Sequence, residues 1–89
     1  LKILVADDSR TNQIILKSML EEAGHQVVLA EDGEQMLHLT ETTQFDLVLS
    51  DVQMPKIDGI RATVRIRQRE SAGGTKRVPI VAVTAHAFQ

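Results

Sequence analysis

Short apolar runs alternate with segments of helical periodicity along this chain, and acidic residues close the first three runs. Residues 3–6, ILVA, read as a buried strand that ends in Asp7 and Asp8. Ser9, or Asp8 itself, can cap the helix that follows. Ile15, Met19 and Ala23 recur there at helical spacing with Leu16 and Leu20 beside them, which predicts an amphipathic helix. Gly24 stands in the usual stop position. Residues 26–30 form a Val-rich second strand closed by Glu31 and Asp32. Asp32 and Gln35 then resemble a capping pair for a helix carrying Met36, Leu37 and Leu39. Thr42, Thr43 and Gln44 make a polar break.

The central stretch is FDLVLSDVQMPKIDG, residues 45–59. Leu47, Val48 and Leu49 suit a strand buried on both faces. Asp51 closes the run, so its carboxylate should emerge at the strand's carboxyl end. Pro55 and Gly59 punctuate the exit loop, and Asp58 reads as a turn or capping acid. Ile60, Ala62, Val64 and Ile66 follow among Arg61, Arg65, Arg67 and Arg69, which predicts a surface helix with a narrow apolar face and a solvated arginine face. The glycines of SAGGTK, residues 71–76, mark a flexible loop. Pro79 opens a fourth buried strand, residues 80–83, that ends at Thr84.

Strand and helix alternate throughout, which implies right-handed crossovers and a doubly wound parallel α/β sheet with helices on both faces. If the first and third strands are neighbours, strand order reverses between them, and open α/β sheets place ligands at such a point. Asp7, Asp8 and Asp51 then converge on one crevice. Two carboxylates about 4 Å apart repel by roughly 4 kcal/mol at an effective dielectric near 20. Three together either take up protons or require a cation. A hard divalent ion with oxygen ligands is the natural answer, Mg²⁺ first among them, and Mg²⁺ on one or two carboxylates keeps positions open for phosphate oxygens.

Composition narrows the classes. The chain has 89 residues, 43% of them hydrophobic, enough for a core in one domain or part of one. Phe45 and Phe88 are its only aromatics and the formal net charge is -2, so a nucleic-acid partner is not expected. Cysteine is absent, which excludes disulfides and thiolate metal sites and fits a cytoplasmic setting. No apolar stretch approaches the roughly 20 residues of a membrane helix, so no membrane contact is expected of this domain, although a parent protein could be membrane-anchored. The chain starts on a strand-like run without Met and ends on a strand, so the expectation is a C-terminally incomplete domain spanning residues 1–89.

Three motifs, ILVADDS, DLVLSDVQMPKIDG and PIVAVTA, resemble in order and spacing the receiver domain of two-component signalling proteins. The resemblance implies a flavodoxin-like fold of strand order 2-1-3-4-5, here without its fifth strand and last helices. It implies that Asp51 accepts a phosphoryl group from a phosphohistidine-bearing kinase or histidine phosphotransfer domain. Mg²⁺ would be held by Asp7, Asp8, Asp51 and the backbone carbonyl of Gln53. Thr84 would sense the phosphoryl oxygens and Ala85 would leave them room. The lysine and aromatic switch residue that receivers carry on a fifth strand would lie beyond Gln89; Lys56 is close to the site on a loop but not placed to substitute. Asn12 and the run Thr84-Ala85-His86-Ala87 are similar to receivers of hybrid histidine kinases, which would make the parent a phosphotransferase.

Plainer readings exist for each residue. Asp7 and Asp8 could serve as a helix N-terminal acid pair, and Thr84 as a plain β-branched strand residue. His25 and His38 read as surface residues, and Met19, Met36 and Met54 as packing. Two other functions stay open: a Mg²⁺-dependent phosphohydrolase with an aspartyl-phosphate intermediate, disfavoured by Gln at position 53, and a degenerate interaction module. Partner choice is expected to rest on the first helix, residues 10–22.

Overall fold

The computed structural model describes residues 1–51, 56–74 and 76–83. Its elements are β1 (Lys2–Ala6), α1 (Arg10–Glu22), β2 (Gln26–Ala30), α2 (Gly33–Thr42), β3 (Leu47–Asp51), α3 (Gly59–Gly73) and β4 (Ile80–Val83). The four strands form one sheet of order β2-β1-β3-β4, and every pairing is parallel. Ala6 aligns with Ala30 on one side and with Ser50 on the other, so β1, β2 and β3 end level. The order reverses between β1 and β3, as the acid-tipped strands require for a common crevice.

Local chemistry sets the helix starts. Ser9 accepts from the Asn12 amide, Asp32 from that of Gln35, and Asp58 from that of Arg61, each capping the helix behind it. Gln35 Oε1 accepts in turn from the Glu31 amide at 2.9 Å, one residue before the cap, and so ties the incoming chain to the first turn of α2. Leu4, Ala6 and Val48 pack with Met36 of α2 and Ala62 and Ile66 of α3 into the main core, closed below by Phe45. Arg69 spans the two helices, donating to Leu37 O at 3.3 Å and to Thr40 Oγ1 at 2.8 Å.

Four expectations need correction. The inward face of α1 is Gln13, Leu16, Lys17 and Leu20, a perfect i, i+3, i+4, i+7 stripe, whereas Ile15 and Met19 are half or more exposed. Apolar identity points to Ile15 and Met19, but the polar amide of Gln13 occupies the buried position, where it donates to the backbone carbonyls of Asp7 and Ala30. Residues 71–73 belong to α3, which stops at Gly74 with φ 66°, the left-handed conformation glycine adopts without cost. β4 is not buried: Val81 is 48% exposed and Ala82 is exposed, because among the described residues β4 pairs only with β3. The arginines of α3 divide, with Arg61 and Arg65 in solvent but Arg67 and Arg69 half-buried and engaged.

Arg67 and Glu70 close the lower end of the molecule. Glu70 Oε1 accepts from Arg67 Nη1 at 2.7 Å and Glu70 Oε2 from the Val78 amide at 2.8 Å, which ties α3 to the segment leading into β4. Burial alone would push the Glu70 carboxyl up, but the Val78 and Arg67 hydrogen bonds and charges outweigh it and hold the group below its ordinary range.

Candidate functional site

The level ends of β1 and β3 carry the acids. Asp7 follows Ala6, whose partner is Ser50, so the register sets Asp7 beside Asp51. Carboxylate oxygens of Asp7, Asp8 and Asp51 all lie within 4.8 Å of one another. Asp7 and Asp51 are buried, at 3% and 8% exposure, while Asp8 is exposed and opens the cluster to solvent. A hard cation fits this donor set, because the oxygens converge and one side stays open to water.

Asp7 is held on every side. Its amide donates to Ala30 O at 3.0 Å, and its carbonyl accepts from the side-chain amide of Gln13. Its carboxylate accepts from the Ser9 amide at 2.8 Å and from Asn12 Nδ2 at 3.4 Å. Burial pushes the Asp7 carboxyl above its ordinary range, the Asp51 and Asp8 charges push the same way, and the Ser9 and Asn12 donors offset only part of this. A carboxyl raised by folding stabilises the fold below its unfolded value, near 3.8, and that contribution is lost as pH rises through the folded value. Relative to Asp7→Asn, metal-free wild type is therefore expected to lose thermal stability as pH climbs out of the acid range, against the opposite contribution that the depressed Glu70 carboxyl makes to both proteins. Melting temperatures recorded against pH in chelator test this; an equally steep fall in the variant would refute the assignment to Asp7.

Neighbouring loops brace the site by close backbone approach. A Cβ on Gly33 would stand 1.9 Å from Ile57 O, and one on Gly59 would stand 1.9 Å from Asp51 O. Gly59, loop punctuation by its sequence, and Gly33 both leave room for backbone at the first residue of a helix. Lys56, in left-handed conformation at φ 66°, directs its ammonium to Asp32 at 3.6 Å and Glu34 at 3.5 Å, which latches the β3–α3 loop to the start of α2. Asp32, then Glu34, raise its affinity for a proton. Glu31, expected at the same sheet edge as the acid cluster, is exposed there, and Asp32 is occupied as a cap. Gln53, Met54, Thr84, Ala85 and His86 lie outside the described residues. His25 precedes β2 at the opposite sheet edge and is half-buried rather than fully solvated, while His38 lies exposed on α2, as its surface reading expects.

The response regulator receiver domain model matches residues 3–89. This chain belongs to the receiver family. The sensor histidine kinase GacS of Pseudomonas protegens is 42% identical over 87 residues, covering 98% of this chain and 10% of that protein, so the chain spans about a tenth of its relative. The receiver domain of the sensor histidine kinase PA1611 from Pseudomonas aeruginosa, solved with a magnesium ion coordinated in its active-site cleft, superposes with a TM-score of 0.86. It is 39% identical over 99% of this chain and 70% of that one. The Saccharomyces cerevisiae receiver domain of Ssk1, crystallised with the histidine phosphotransfer protein Ypd1, gives a TM-score of 0.84 at 27% identity, over 94% of this chain and 61% of that one. The parallel sheet of order 2-1-3-4 is the flavodoxin-like receiver arrangement, and this receiver is homologous to those of hybrid histidine kinases.

Proposed function

We propose that this receiver accepts a phosphoryl group on Asp51 from phosphohistidine in a Mg²⁺-dependent step of a cytoplasmic phosphorelay. The observation that carries the reading is the convergence of Asp7, Asp8 and Asp51 within 4.8 Å at the point where strand order reverses. An Asp51 carboxylate oxygen forms the new bond to phosphorus while the P–N bond breaks; its electron pair goes to the imidazole nitrogen, which takes up a proton. Two anions must meet for this, and Mg²⁺ bound by Asp7, Asp8 and Asp51 would offset their repulsion and orient the phosphoryl oxygens. Ser9 and Asn12 hold the Asp7 carboxylate for that role. Gln53, Thr84 and Ala85 are assigned their roles by their place in the family motifs: metal carbonyl, phosphoryl-sensing hydroxyl, and the small neighbour that leaves space. The parent protein is proposed to be a hybrid histidine kinase.

Intact-mass measurement with a small-molecule phosphoryl donor, with and without Mg²⁺ and beside Asp51→Asn, tests the reading. A single metal-dependent adduct of one phosphoryl group, absent from the variant, is expected. No adduct in a wild-type protein that still binds Mg²⁺ would leave an interaction module, and turnover of a generic phosphoester would favour the hydrolase.

The partner's approach follows from the same placement. α1 begins two residues after Asp8 and presents Ile14, Ile15 and Met19 at 57%, 50% and 59% exposure. A protein delivering phosphohistidine to Asp51 would lie across this helix, and apolar contact there would hold it. Ile15→Asp with Met19→Asp is expected to slow transfer from a phosphohistidine protein at least tenfold while leaving the small-molecule reaction unchanged. Equal slowing of both reactions would overturn the docking role.

A further inference from the structure

Gln13 is the one buried polar side chain of α1, at 6% exposure, and neither the three family motifs nor the acid cluster accounts for it. Its Nε2 reaches two backbone carbonyls, that of Asp7 and, at 3.4 Å, that of Ala30. Ala30 O already accepts from the Asp7 amide at 3.0 Å, so Gln13 completes a bridge among the ends of β1 and β2 and the first turn of α1. The neighbouring Asn12 donates to the Asp7 carboxylate at 3.4 Å. Consecutive amides thus grip one residue, Gln13 by its main chain and Asn12 by its side chain.

We infer that Gln13 is a positioning residue for the metal site: it fixes the peptide on the carboxyl side of Asp7 so that the Asp7 carboxylate stays aimed at Asp8 and Asp51. The inference rests on the Mg²⁺-dependent reading above. The physical need is plain. Charge repulsion and burial both act to turn the Asp7 carboxylate away, and torsion about the Asp7 backbone is the cheapest way out. The Asp7 amide is fixed through Ala30, which leaves the Asp7–Asp8 peptide as the free hinge, and Gln13 holds its oxygen. Only a donor serves. A carboxylate at position 13 would face two carbonyl oxygens and add a fourth negative charge near three.

Outer partners that orient metal ligands typically contribute 10- to 100-fold in affinity. Gln13→Met keeps length and volume but removes the donor. In the full-length protein we expect it to weaken Mg²⁺ binding, measured by calorimetry, about tenfold. The half-saturating Mg²⁺ for phosphorylation of Asp51 by a small-molecule donor should rise by the same factor, with the rate at saturating Mg²⁺ nearly restored. Leu16→Ala on the same face of α1 is the structural comparison: it should lower the melting temperature and leave the Mg²⁺ affinity within twofold of wild type. Unchanged affinity in Gln13→Met, or an equal loss in Leu16→Ala, would overturn the positioning role. Failure of wild type itself to bind Mg²⁺ would instead defeat the underlying reading, so the two failures are separable.

Discussion

Asp51→Asn should abolish the phosphoryl adduct outright and at the same time make the metal-free protein more stable. The two effects have one cause. Asp51 is 8% exposed and its oxygens stand within 4.8 Å of those of Asp7 and Asp8. At that separation each pair of full charges repels by roughly 3 kcal/mol at an effective dielectric near 20. Solvent at the exposed Asp8 and proton uptake by Asp7 relieve part of this, so a gain of about 1 kcal/mol is expected. For a domain of this size that is a rise of about 4–8 °C in melting temperature. Asn keeps the shape and one oxygen acceptor, so packing against the start of α3 is unchanged. It lacks the anionic oxygen needed to form an acyl phosphate. Chelator should leave the melting temperature of Asp51→Asn nearly unchanged, while Mg²⁺ raises that of wild type. Loss of the adduct combined with a lower metal-free melting temperature would show that Asp51 is principally a structural anchor, and the electrostatic account of the site would fail.

Gly59→Ala should be strongly destabilising although it adds only one methyl group. The demand at this position is space and not backbone torsion. A Cβ there would lie 1.9 Å from the backbone oxygen of Asp51, 2.8 Å from Ser50 Oγ and 3.0 Å from the Asp51 carbonyl carbon. Two of those atoms belong to the backbone of a central strand, which cannot swing aside as a side-chain tip would. Either α3 lifts from the sheet, opening the core at Ala62 and Ile66, or the end of β3 moves and carries Asp51 with it. Overpacking of this kind costs typically 1–3 kcal/mol, and the upper part of that range is expected here because backbone must shift. Denaturant unfolding measures the loss, and Mg²⁺ titration reports whether Asp51 has moved. A variant with wild-type midpoint and wild-type Mg²⁺ affinity would show that α3 does not seat on β3 in this way.

Much of the site was legible in the chain itself. The alternation of apolar runs and helical periods, and the acids that close three of the runs, are local facts that specify strands, helices and which strand ends are acidic. The caps at Ser9, Asp32 and Asp58 were equally readable, since a cap joins groups only three residues apart. The three receiver motifs are contiguous stretches of sequence and carry the family resemblance without reference to geometry.

What the chain could not show by itself is what covers each surface. Ile15 and Met19 have the spacing of a core stripe, yet the sheet receives Gln13, Leu16 and Leu20, and there the Gln13 amide donates to carbonyls at the ends of β1 and β2. β4 has the composition of a buried strand, yet among the described residues it pairs only with β3 and Val81 is exposed. Gly59 looks like punctuation, and Gly33 carries no signal, until Asp51 and Ile57 are brought against them. Sequence by itself determined the order of elements, their caps and the residue types gathered at one edge, all of which depend on near neighbours along the chain. Tertiary structure decided register, burial and the approach of Asp7 to Ala30 and Asp51, because each joins atoms that only the parallel pairing of β1 with β2 and β3 brings together.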